Sequence, residues 1–174
     1  MANAPAGTRP DSLKEAAATA IDWETYVVER YRGEIFGESL FGALAERASG
    51  DEQRKWRVLE QLERETRERI APVRAEIERT TADDPVRRAE GRKLGEALAS
   101  TPWLDLMASF RGELEKFVAE FERAEALAPP RGRNLARFIT AHEEALLAFV
   151  VAEIEGRADP LEPVVALLRD ASAT

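Results

Sequence analysis

Apolar residues recur every three to four positions through most of this chain, the spacing that turns one face of an α-helix toward a core. No proline interrupts residues 11–49, and Val27, Tyr31, Ile35, Phe41 and Leu44 mark a first long helix there. Ser12 and Glu15 have the spacing of a capping box near its start. Ser49-Gly50-Asp51 offers a glycine to end that helix and an N-cap for the next, which predicts a tight turn between antiparallel helices. The second helix spans about 52–79 on Trp56, Leu59, Leu62, Thr66, Ile70, Val73 and Ile77. Pro72 lies inside it and is expected to kink it, because one backbone bond is lost there.

A polar break over 80–85 follows, and Asp84-Pro85 has the form of an N-cap and first helical residue for a short crossover helix through Leu94 and Leu98. Thr101-Pro102 repeats that signature. It opens a third long helix on Leu106, Met107, Phe110, Leu114, Phe117 and Phe121, which Pro129-Pro130 ends. A fourth runs over about 134–155 on Leu135, Phe138, Ile139, His142, Leu146, Phe149 and Val150 and stops at Gly156. Asp159-Pro160 with Glu162 caps a short C-terminal helix ending near Arg169. No segment has the pattern of a strand. Two helical hairpins joined by a longer connection predict an all-α, antiparallel four-helix bundle with a short crossover helix and a short C-terminal helix. One domain over 11–174 is expected, preceded by a small-residue leader over 1–10.

Composition narrows the function more than the fold. The 174 residues are 44% apolar and 33% charged, a globular balance. There is no cysteine, so disulfides, thiolate nucleophiles and cysteine metal sites are excluded. The formal net charge of -8 disfavours nucleic acid, whose binding begins with neutralisation of phosphates, and disfavours an anionic membrane surface. No apolar run approaches the roughly 20 residues of a membrane span. A cytoplasmic protein is the expectation.

The candidate chemistry lies in acids placed on apolar stripes. On the first helix Glu38 falls in the stripe of Tyr31, Ile35, Gly42 and Ala45. On the second, Glu63 stands among Leu59, Thr66, Ile70 and Val73. The third carries Glu113 between Phe110 and Phe117. The fourth carries His142, the only histidine in the chain, with Glu143 one step round. A buried carboxylate is costly unless it is paired or bound to a metal, so acids on four converging stripes call for an explanation. The other acids of the second helix, such as Glu60 and Glu65, pair with Arg at i,i+4 and read as a solvated face. The aromatic residues Trp56, Trp103, Phe110 and Phe117 read as core.

The segment Phe36-Gly37-Glu38-Ser39, continuing in small and apolar residues to Ala45, resembles the first helix of rubrerythrin-type ferritin-like proteins. The stretch 138–153, with His142-Glu143, is similar to the last helix of that superfamily. The resemblance covers roughly 24–156. It implies a carboxylate–histidine metal site to which two helices each give a Glu and two others each give Glu-x-x-His. Glu38 matches the first ligand, and Glu63 matches the acid of the first Glu-x-x-His, but Thr66 stands where its His belongs. On the fourth helix either His142 follows Ile139 in place of Glu, or Glu143 is followed by Leu146 in place of His. Glu113 is the fourth acid. The metals the resemblance implies are iron or manganese, held by Glu38, Glu63, Glu113 and His142 or Glu143.

Two functions remain from this reading. One is a ferritin-like bundle with a degenerate or absent di-iron site, working by partner binding or by self-association as a homo-oligomer. The other is a carboxylate-bridged iron or manganese oxidoreductase or iron-handling protein. The missing histidines weigh toward the first, since di-iron chemistry needs both metals in a preorganised carboxylate–imidazole shell.

Overall fold

The structure is a computed structural model that describes residues 22–80 and 82–172. These form six helices and no strand: α1 (Trp23–Arg47), α2 (Gly50–Glu78), α3 (Pro85–Leu98), α4 (Trp103–Leu127), α5 (Arg133–Ile154) and α6 (Glu162–Ser172). The leader over 1–10 and the Ser12–Glu15 capping box lie outside the described residues. Within them, α1 opens at Asp22, whose carboxylate accepts a hydrogen bond from the Thr25 backbone N–H at 3.3 Å. α2 continues through Pro72 to Glu78.

Short turns make α1–α2 and α4–α5 antiparallel hairpins. Across the first, Glu38 meets Arg67 and Phe41 stacks on Trp56. Across the second, Thr140 donates to the Phe121 carbonyl, and the Trp103 indole N–H donates to Glu153. The hairpins then join edge to edge. α2 runs antiparallel to α5, with Lys55 on Glu153 near one end and Arg69 over the Phe138 ring near the other. α1 runs antiparallel to α4, with ring contacts between Phe41 and Phe110 and between Tyr26 and Phe121.

The crossover helix is less peripheral than its sequence suggests. Asp84 caps α3 by accepting from the Arg87 N–H, and the helix then lies parallel along α1. Gly91 and Gly95 set its backbone against the carbonyls of Phe36 and Leu40, where a Cβ would collide. α1 is thus covered on two sides and buries fourteen of its 25 residues, whereas α4 buries four of its 25.

The apolar core falls into two clusters. One gathers Leu44, Trp56, Leu59, Met107, Phe149 and Val164; the other gathers Val27, Tyr31, Ile70, Phe121 and Ile139. Four buried polar residues lie at heights between them: Glu34 from α1, Glu63 and Thr66 from α2, and His142 from α5. Trp56 is core as expected, but Phe117 is 40% exposed, because the middle of α4 stands away from α1.

Candidate metal centre

Each member of the polar layer is delivered by a helix whose neighbouring turns are apolar. Glu63 lies one turn from Leu59 and next to Leu62, and His142 lies between Ile139 and Leu146 on the buried face of α5. Burial of the flanking residues carries the polar groups inward. Space for the Glu63 carboxylate is made by Gly37 of α1: a Cβ there would overlap the carboxylate itself.

The imidazole of His142 lies between two acids. Its Nδ1 is 2.7 Å from Thr66 Oγ1 and 3.6 Å from Glu34 Oε2, and its Nε2 is 3.4 Å from Glu63 Oε1. The Glu34 and Glu63 carboxyl groups also lie close to one another. One donor atom each from Glu34, Glu63 and His142 lie within 4.8 Å of one another. Burial pushes both carboxyls well above the usual carboxylate range, and the negative charge of the nearby acids adds to that. Glu143, half-buried and one residue beyond the histidine, is raised as well, chiefly by burial.

Three features of this layer fit a divalent cation. First, Glu34 Oε2 is buried without a hydrogen-bond partner, and an orphaned buried acceptor is uncommon. Second, Nε2 and Glu63 Oε1 are farther apart than a good hydrogen bond, yet ligand atoms about 2.1 Å from one ion stand about 3–3.5 Å apart. Third, carboxylate and imidazole donors without thiolate suit iron, manganese or zinc. Thr66 then has a defined part. If His142 Nδ1–H donates to Thr66 Oγ1, the Nε2 lone pair is free for a metal; if Thr66 donates to Nδ1, Nε2 carries the proton and faces Glu63.

Beside this layer lies a cavity of about 440 Å³ lined by residues of α1 to α5. Glu34, Glu63 and Glu143 reach its wall, and Leu40, Phe110 and Phe117 make much of the remainder. A bound ion would therefore have open positions toward an apolar chamber.

The five residues singled out in the sequence separate here. Glu63 and His142 meet. Glu143 lies beside them at the cavity. Glu38 is instead held by Arg67 at 3.0 Å, with Arg88 at 3.8 Å. Glu113 is exposed at the outer rim and pairs with Lys116 at 2.7 Å. The acid that α1 gives to the layer is Glu34, one turn before Glu38. Gly37, three residues on, makes room for Glu63, so nothing in the sequence singles out Glu34.

Comparison with known proteins finds no match: no protein-family model, no curated protein and no solved structure.

Proposed function

We propose that this chain is a ferritin-like four-helix bundle that holds one divalent iron or manganese ion between Glu34, Glu63 and His142, and acts as a metal-dependent oxidoreductase. The observation that carries the reading is the convergence of two buried carboxylates and the only imidazole within 4.8 Å, with one carboxylate oxygen unpartnered. With one histidine in the chain, a single ion fits the donor set better than the paired metals of a complete di-iron site. Such an ion supplies Lewis acidity and one-electron chemistry when bound. The chain's own part is to fix the ligands: Thr66 orients the imidazole, Gly37 leaves room for Glu63, and the largely apolar chamber lies on the open side.

The test is metal analysis of protein purified without a histidine tag, followed by melts with and without ferrous or manganous ion. A ligand that binds only the folded state adds about 2.7 kcal/mol at a hundredfold excess over Kd. For a domain of this size that is a rise in Tm of roughly 5–10 °C. The rise is expected in the wild type and absent in the Glu34→Gln, Glu63→Gln double variant. Equal melts with and without metal in the wild type refute the reading.

A second reading has its own support. The proximity of the buried Glu34 and Glu63 carboxyls, both raised by burial, suits a metal-free dyad that retains one proton, in a bundle that acts by binding or self-association. There the double variant is neutral or stabilising, since it removes repulsion without removing volume.

A further inference from the structure

The cavity has more features than a metal's open side requires. Its α1 wall runs from Glu29 to Phe41, so the stretch from Arg30 to Phe41 is about 16 Å at 1.5 Å per residue. It is elongated, and its volume of about 440 Å³ lies within the roughly 300–1,000 Å³ of small-molecule sites. The far end, at Leu40, Phe41, Phe110 and Val150, is apolar.

The near end holds Arg30. Its guanidinium lies 4.3 Å from the centre of the Phe121 ring and 5.7 Å from that of Tyr26. Its Nε is buried and has no hydrogen-bond partner. Arginine stays charged at any ordinary pH, and a buried donor left unmatched is unfavourable. Glu29 and Glu113, also at the cavity, are engaged with Arg32 and Lys116. One unmatched cation at the end of a long apolar chamber defines an amphiphile.

We propose that the cavity binds an elongated apolar monocarboxylate of the aliphatic-acid type, with its carboxylate on Arg30 and its chain lying along α1 toward Leu40 and Phe41. Glu34 and Glu63 open onto the same chamber midway, so the chain passes the proposed metal centre. Binding does not depend on that centre being loaded. Entry is past Phe117 and Leu94, two large apolar side chains exposed at 40% and 39%. Gly33 also lines the chamber, and a Cβ there would meet nothing within 4 Å. A large side chain at that position would fill the space the ligand uses.

The probes are decanoate, decanol and decylamine, titrated calorimetrically into the full chain below micelle-forming concentrations. The titrations are run on chelator-treated and on manganese-treated protein, with manganese uptake measured in the same samples. One decanoate per chain is expected, at least ten-fold tighter than decanol, with decylamine weakest. Arg30→Met should bring decanoate down to the affinity of decanol and leave decanol unchanged. Arg30→Lys should retain part of the preference, and Gly33→Phe should abolish binding of all three. Circular dichroism melts establish that each variant is folded; should Arg30→Met not fold, Arg30→Lys and Gly33→Phe decide. Equal affinity for the three probes, no decanoate binding, or decanoate binding indifferent to Gly33→Phe overturns the proposal. Loss of decanoate binding with manganese uptake intact counts against this site alone. Decanoate binding without manganese uptake counts against the metal centre alone.

Discussion

Thr66 shows how a single substitution within a motif can change its meaning. In the sequence it interrupts Glu-x-x-His; in the structure its hydroxyl lies 2.7 Å from the Nδ1 of the one histidine present. Thr66→Val keeps the shape and removes the partner, leaving a buried ring nitrogen unsatisfied. A loss of about 1–3 kcal/mol is expected, read as a lower urea midpoint, with Thr66→Ser restoring most of it. Unchanged stability in the valine variant would show that the contact is inert. The acids next to it set a pH dependence of definite sign. Burial raises Glu34 and Glu63, so the folded, metal-free chain retains protons that the unfolded chain releases near pH ~4.3. Their contribution to stability is complete below that value and is lost as pH rises through the folded pKa values. Surface acids such as Asp51 and Asp83 are lowered by hydrogen bonds from Lys55, Arg54 and Arg88 and act in the opposite sense. The comparison must therefore be with the Glu34→Gln, Glu63→Gln variant. Chelated wild type should lose more Tm than the variant between about pH 5 and about pH 8, and parallel curves would argue against the shifts.

At the scale of the helix, the glycines distinguish packing from space. Gly33→Ala places a methyl in open space on a helix interior and should stabilise by about 0.5–1 kcal/mol. Gly91→Ala drives a Cβ into the Phe36 carbonyl and should destabilise by about 1–3 kcal/mol. Denaturant titrations of the two variants should move in opposite directions, and a shared direction would contradict the packing of α3 on α1. The same helices show what could be read in advance. α2 has one buried face, so the stripe through Leu59, Leu62, Thr66 and Ile70 is explicit, and Glu63 stands out against it. His142 stands out on α5 for the same reason. α1 is sandwiched between α2 and α3 and is buried on most of its circumference, so no single stripe exists. Glu34 and Glu38 then look alike, and only their partners separate them: Arg67 and Arg88 for one, His142 and Glu63 for the other. Arg88 comes from the crossover helix, whose docking the sequence did not place. α4 misled in the other direction. Its apolar positions 110, 114 and 117 have core spacing, yet they line a chamber, and Phe117 is 40% exposed.

Over the whole molecule, the six-helix organisation followed from Pro, Gly and cap positions, because backbone hydrogen bonding allows few ways to break a helix. The layering of the core did not follow, since it depends on which turns of four helices come to the same height. That layering has a consequence for how many alignments the chain can adopt. Long helices with leucine-rich faces can slide past one another by a turn and still bury apolar surface. Here a slide of α2 by one turn would set Glu63 against one of the two apolar clusters and leave His142 without Thr66. The polar layer therefore acts as a vernier mark that admits a single register. Replacing it whole, with Glu34→Leu, Glu63→Leu, Thr66→Val and His142→Leu, should raise the denaturation midpoint while broadening the unfolding transition and the amide resonances. Sharp, singly populated spectra from that variant would mean that shape alone sets the alignment. Broadened ones would mean that the buried polar groups serve the fold as its index.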